Sequence, residues 1–141
     1  MTEDMIMDAA GMWYRDKDRN CAEALLCAGR DCYQLELSSE ALRAAGGFGG
    51  GMGIGSVCGA LTGSLMVMGP LFVAERSHES EDMKEVRQWF FELAQQRLGS
   101  IDCESLKDRY YHEDTKCLEV VRLAAQILHE TAEQFSHLRK R

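Results

Sequence analysis

Proline is nearly absent, with Pro70 alone among 141 residues. Val, Ile and Thr together number only 14, against 14 Ala, 15 Leu and 14 Glu. Branched side chains suit strands and straight-chain ones suit helices, so this balance predicts an all-α chain. A basic face is missing too. Sixteen Lys and Arg stand against 23 Asp and Glu, for a net charge of −7 and a pI near 5.1. Phosphate backbones are gripped by clustered cations. The one basic cluster, Arg139-Lys140-Arg141, reads as a solvated helix end, so no nucleic-acid partner is expected. The first residues, MTEDMIMDAAG, carry acids where an export signal carries Lys or Arg, and a cytoplasmic location is expected. In that reducing compartment, six cysteines point to metal or redox chemistry before a disulfide framework.

Several common motifs are lacking as well. The run GGFGGGMGIGS has no GxGxxG register and no GK[ST], which removes the nucleotide-loop reading. No CxxC occurs, so the zinc-ribbon spacing and the thioredoxin dithiol are absent, and without CxxCH there is no covalent haem site. His78, His112, His129 and His137 show no HxxxH or HExxH spacing and read as surface or helix-end residues. His112, five residues before Cys117, is the hardest of them to dismiss. Charge is missing from Ala44 to Ala74, a run long enough to span a bilayer. Nine glycines fall between Gly46 and Gly63, however, and the apolar run starts only at Val57. A glycine loop leading into a buried central helix accounts for this pattern, and no membrane partner is expected.

What remains is helical punctuation. No linker, repeat or low-complexity segment divides the chain, so one domain over 1–141 is expected. It is read as a bundle of five to seven helices around a buried Gly-rich central helix. The predicted helices cover 3–16, then a second opening at an Asn20 cap, and 40–45 capped by Ser38 or Ser39 and ended by glycines. The uncharged helix runs from Val57 to about Gly69 behind a Ser56 cap. A long helix opens at Ser77 or Ser80, with Met83, Val86, Phe90 and Leu93 on one stripe, and stops at Gly99. A short one starts at Cys103, behind Asp102 or Ser100. The last runs from about Thr115, with Leu118, Val121, Ala125, Leu128, Ala132 and Phe135 as its seam. Gly55, Gly59 and Gly63 recur every four residues and flatten one helix face, leaving room for tight packing or for a group beside Cys58. That face, with eight methionines, also raises a homodimer.

The cysteines fall at particular places. Cys21, Cys58, Cys103 and Cys117 each lie within two residues of a predicted cap, in the first turn of four different helices. Unpaired N–H groups and the positive end of the dipole favour a thiolate there, so lowered thiol pKa values are expected. The same donors suit the sulfurs of an anionic cluster. Cys27 and Cys32 lie within or at the end of the second helix. They stand about 9 and 16 Å along the axis from Cys21, too far for one metal, and read as small apolar residues.

The run GGFGGGMGIGSVCGALTG, with NCAEALL before it, resembles the family of redox-active proteins named for a C…GCAxxG…C…C signature. The matching residues are Cys21 in NCAEALL, Cys58 in the CGAxxG element that ends at Gly63, Cys103 in DCESLK and Cys117 in KCLEVVRLAAQIL, over about residues 20–128. The resemblance implies an all-helical redox protein. A related module in split-Soret cytochromes, associated with an iron–sulfur centre, implies that the same four cysteines are cluster ligands. The leading expectation is therefore a small iron–sulfur protein, with Cys21, Cys58, Cys103 and Cys117 binding a [2Fe–2S] cluster for electron transfer or redox sensing. Such a protein serves a redox partner protein and is a carrier before it is an enzyme with its own organic substrate. The alternatives are a thiol–disulfide protein using the same cysteines, a structural zinc module with all four as ligands, and an interaction domain with ordinary reduced cysteines.

Overall fold

A computed structural model describes residues 1–79 and 81–140. Seven α-helices run through the described residues, joined and followed by short 3-10 turns and one π-type turn (Gly51–Gly55), with no strand, so the chain is all-α. Helix α1 (Glu3–Arg15) is capped by the Thr2 hydroxyl, which accepts from Met5 N–H. Helix α2 (Cys21–Tyr33) opens at Asn20, as its sequence predicts. The Asn20 side chain accepts from Glu23 N–H while the Glu23 carboxylate accepts from Asn20 N–H, a reciprocal box that satisfies two end donors.

Helices α1, α2, α4 (Gly59–Phe72) and α7 (Leu118–Gln134) form the body, with α5 (Glu81–Leu98) laid along α7 and α4. The core lies between them, in Leu25, Leu61, Met68, Phe72, Phe90 and Leu128 among others. Helices α2 and α4 approach closely because each contributes a glycine. A Cβ at Gly63 would lie 2.5 Å from the Ala22 carbonyl oxygen, and one at Gly29 would overlap the Val67 side chain. The flat face thus packs within the chain, which removes it as the argument for a homodimer. Gly55 is not part of it, since it lies before the helix at φ +72°.

Several boundaries differ from the sequence expectation, each for a local reason. Helix α3 (Ser39–Arg43) takes its cap from Ser38, but Gly46 and Gly47 do not simply end it, because the chain tightens into a 3-10 turn over Ala44–Phe48. Ser56 does not cap α4. Its neighbour Val57 pairs with Asp102 in an antiparallel bridge, so the helix starts at Gly59 with Cys58 at the cap position and continues through Pro70 to Phe72. Ser77 opens a separate 3-10 turn, Ser77–Glu79, and Ser80 lies outside the described residues. On α5, Ala94 rather than Leu93 completes the buried stripe with Met83, Val86, Phe90 and Leu98. Thr115 sits in a turn closed by hydrogen bonds between His112 and Lys116, so α7 starts at Leu118. Arg139 and Lys140 of the basic tail are exposed and follow directly on a last 3-10 turn, Ser136–Leu138, as expected of a solvated helix end. Lys140 N–H donates to the Leu71 carbonyl at 2.6 Å, and Arg139 stacks over the Tyr33 ring at 5.1 Å. Arg141 lies outside the described residues. No helix among the described residues is long and apolar enough to cross a membrane.

Candidate functional site

The four cysteines singled out in the sequence are 37, 45 and 14 residues apart, yet all of them line one cavity of about 680 Å³. Cys21 is the first residue of α2 and Cys103 the first of α6 (Cys103–Tyr110), while Cys58 and Cys117 occupy the cap positions of α4 and α7. Four helix N-termini therefore point at one space. Cys27 lies in the core and Cys32 packs at its edge, both away from the cavity, as expected for small apolar residues. The histidines do not line it either. His112 is exposed, with its ring 3.7 Å from Glu119.

Each cysteine is held by a specific backbone device. Cys58 and Cys103 are brought side by side by the Val57–Asp102 bridge. Cys58 N–H donates to the Ile101 carbonyl at 2.8 Å and Cys103 N–H donates to the Ser56 carbonyl at 2.6 Å. This single rung of sheet pins two helix starts together. Cys21 follows the Asn20 cap, whose amide also donates to the Gly46 carbonyl at 3.0 Å and so ties α2 to the glycine segment. Cys117 N–H donates to the Tyr14 hydroxyl at 3.1 Å.

The glycine segment has a chemical use beyond flexibility. Gly50, Gly51, Met52 and Gly53 all have positive φ, from +62° to +75°, which makes a short left-handed turn. L-residues pay about 1–2 kcal/mol for that conformation, and three of the four positions avoid the cost by being glycine. The turn lets Gly50 N–H reach the Cys21 sulfur and presses Gly51 against Cys103, where a Cβ would lie 2.8 Å from the Cys103 Cβ. At the start of α4, Ala60 and Leu61 N–H groups reach the Cys58 sulfur. Gly59 packs so closely that a Cβ there would overlap the Cys21 sulfur.

At Cys21, Cys58 and Cys117 the thiol pKa values are raised, against the lowering expected from helix N-termini. Burial pushes the Cys58 thiol up to about 12, aided by the neighbouring charge of Cys21 and opposed by the two backbone donors. Cys21 and Cys117 are likewise raised, first by burial. For Cys21 the Gly50 donor opposes the rise while Cys103 adds to it. For Cys117, Cys21 adds to the rise while Lys107 and the Tyr14 hydroxyl oppose it. Desolvation outweighs the dipole because these thiols are buried or partly buried and lie close enough for one another's charge to add to the rise. All six cysteines are free thiols.

A comparison with protein-family models matches residues 19–131 to the family described as "Putative redox-active protein (C_GCAxxG_C_C)". The chain belongs to this family. No curated protein and no solved structure matches it. Within the signature, this chain reads Cys58-Gly59-Ala60-Leu61-Thr62-Gly63, with the glycine after the cysteine. That order places Gly59 against the Cys21 sulfur and Gly63 against the α2 backbone.

Three contributors to the site were not visible in the sequence. They are Tyr14, the Gly50 donor, and the pairing of Val57 with Asp102. Tyr14 precedes the matched region and has no spacing relation to any cysteine, and the bridge joins residues 45 apart. The four positive φ values beside Cys58 could have been suspected from the glycine density alone.

The donor set can be tested against the groups it suggests. Four cysteines around one cavity are the ligand complement of an iron–sulfur centre held by thiolates alone. As they stand, no three or more His, Cys, Asp or Glu side chains among the described residues are gathered so as to hold a metal ion. One zinc ion needs all four sulfurs at about 2.3 Å, whereas a cavity of about 680 Å³ lined by all four cysteines has room for a group of several atoms.

Proposed function

We propose that this protein is a one-electron redox carrier or sensor in which Cys21, Cys58, Cys103 and Cys117 hold an iron–sulfur cluster, a [2Fe–2S] centre in the leading reading, by all-cysteine ligation. The observation that carries the reading is that four cysteines distant in sequence, each at the start of a helix, line one cavity, while the two others do not. A cluster supplies reversible one-electron chemistry with little rearrangement of its ligands.

The protein's own groups fit that task. Buried thiols that repel one another's charge stay protonated when alone, so their natural complement is a cationic centre, which reverses that preference. Gly50 N–H at Cys21 and Ala60 and Leu61 N–H at Cys58 are donors of the kind that stabilise the more electron-rich state. Burial limits water at the sulfurs. The raised thiols of Cys21, Cys58 and Cys117 argue against those three acting as fast attacking nucleophiles in disulfide exchange, which needs a thiolate near neutral pH.

The test is anaerobic purification or reconstitution of the full chain, followed by an absorption spectrum with iron and sulfide analysis. Visible charge-transfer bands with iron and acid-labile sulfide are expected. Ser in place of any one of Cys21, Cys58, Cys103 or Cys117 should reduce or abolish them, and Cys27→Ser and Cys32→Ser should leave them intact. Colourless protein without iron after reconstitution would move the assignment to thiol–disulfide chemistry, and zinc without colour would move it to a structural site.

A further inference from the structure

We propose that a second, smaller recess beside the cysteine cavity binds a phosphoryl group, as the free phosphate ion or as the end of a phosphomonoester. This site is separate from the redox reading and stands whatever the four cysteines hold.

The placement comes from the turn between α1 and α2. Three arginines from three parts of the chain line one recess of about 150 Å³. They are Arg19 in that turn, Arg30 on α2 and Arg43 at the end of α3. At about 30 Å³ per water in the liquid, the space holds about five non-hydrogen atoms, the size of a phosphate ion. Trp13 of α1 forms a further wall. The guanidinium of Arg19 lies over its ring at 5.9 Å from the centre, and that of Arg30 at 5.4 Å. A guanidinium placed over a ring keeps the N–H groups at its edge for oxygen acceptors.

The charges there are not balanced within the protein. In a chain of net charge −7, the recess is lined by three cations and one acid. That acid, Glu23, is committed to the α2 cap, where its carboxylate accepts from Asn20 N–H at 3.0 Å. Asp31, outside the lining, accepts from Arg30 Nε and from the Trp13 indole N–H, each at 2.9 Å. It fixes both side chains and leaves the two terminal nitrogens of Arg30 without an acceptor among the described residues. Arg19 donates to a neutral group, the Lys17 carbonyl, at 3.0 Å. The Arg43 side chain and the Ser39 hydroxyl, also in the lining, have no hydrogen-bond or ion-pair partner among the described residues. Guanidinium forks pair with oxyanions two oxygens at a time. Three forks exceed the two oxygens of a carboxylate and suit the four of a phosphate. Arg19 and Glu23 also line the cysteine cavity, so the two spaces share a wall.

The experiment is equilibrium dialysis of the full chain against radiolabelled inorganic phosphate, and separately against radiolabelled glycerol 3-phosphate, at neutral pH with sodium chloride holding the ionic strength constant. One phosphoryl group per chain is expected, with a dissociation constant of about 1 mM or tighter from charge-assisted bonds to three arginines. Arg43→Gln and Arg30→Gln should each weaken binding about tenfold or more. Arg43→Lys keeps the charge but loses the fork, and should weaken it less than Arg43→Gln. Arg87→Gln, at an exposed arginine of α5 outside the recess, should bind as wild type. Arg43 is exposed and its side chain is unpartnered, so its variants fold; where Arg30→Gln does not, the Arg43 pair decides. Binding of both ligands, each displacing the other, assigns the recess to the phosphoryl group itself, and binding of one alone assigns it to that source. Saturable binding of neither ligand would overturn the inference. So would wild-type affinity in Arg43→Gln, or an equal loss in Arg87→Gln, since the binding would then lie elsewhere or follow net charge alone.

Discussion

Gly59→Ala probes the site and the fold at once. Gly59 is the first residue of α4, with an ordinary helical backbone, and a methyl group there would overlap the Cys21 sulfur and lie 2.9 Å from the Phe48 carbonyl oxygen. Replacing glycine by alanine where the backbone permits it gains about 0.4–1 kcal/mol from the unfolded chain. Forcing a methyl into filled space costs about 1–3 kcal/mol. The sulfur is the more movable neighbour, because rotation about one side-chain bond takes it away, whereas Phe48 and Gly49 oppose the methyl with backbone atoms. We therefore expect a net loss of about 1–2 kcal/mol, a urea midpoint lower by about 0.5–1 M, and a larger effect on the site than on the fold. Cys21 should leave its position and cluster loading should collapse while the circular dichroism spectrum stays helical. Gly47→Ala is the control, since a Cβ there meets nothing within 4 Å. Unfolding is followed by far-ultraviolet circular dichroism and loading by iron per chain. Gly59→Ala protein with wild-type loading and a midpoint raised as in Gly47→Ala would refute the close approach of Gly59 to Cys21.

The remaining predictions concern the caps and the thiols. Asn20→Ala removes a reciprocal cap and the bond to Gly46, and should cost about 1–2 kcal/mol in urea unfolding. It should also weaken cluster retention, because Cys21 is the next residue. In the metal-free protein, the folded state raises Cys58 to about 12 from an ordinary value near 9, and raises Cys21 and Cys117 as well. A group raised on folding stabilises the protein fully below its unfolded value, and that contribution is lost as pH rises toward the folded one. Stability should therefore hold level up to about pH 8.5 and fall above pH 9, each such thiol contributing at most about 1.4 kcal/mol per pH unit. Urea midpoints from pH 7 to 11 would check this, and Cys58→Ala should flatten the fall. A midpoint that stays constant through pH 11 would show that these thiols are not buried as described.

Loading and stability effects should separate along the structure. Cys58 and Cys103 depend on one bridge between backbones, Cys21 on a cap, and Cys117 on a hydroxyl from α1. None of these ties is strong alone, since a net hydrogen bond contributes about 0.5–1.5 kcal/mol. The site is thus built from modest contacts among elements whose positions are set by the apolar core behind them.

Much of this architecture was legible in the chain. Straight-chain helix formers, caps such as Asn20 and Ser38, and period-3.6 stripes depend on neighbours within a few residues, so the all-α class, α1, α2 and most of α5 follow from local chemistry. The four cysteines could be chosen over Cys27 and Cys32 for a similar reason, since position relative to a helix start is a local property. Boundaries failed where a distant partner competed. Val57 pairs with Asp102 instead of starting a helix, and Lys116 bonds back to His112 instead of joining α7. Thiol acidity failed in the same way. The dipole at a helix end is local, but burial and the charges of neighbouring thiols exist only once four ends meet. That Tyr14 serves Cys117, that Gly50 serves Cys21, and that Gly59 makes space for a sulfur 38 residues away are outcomes of packing. Local sequence sets which helices form and where the cysteines sit on them. Burial of the apolar faces decides which helix ends share a cavity, because that free energy depends on area removed from water and not on distance along the chain.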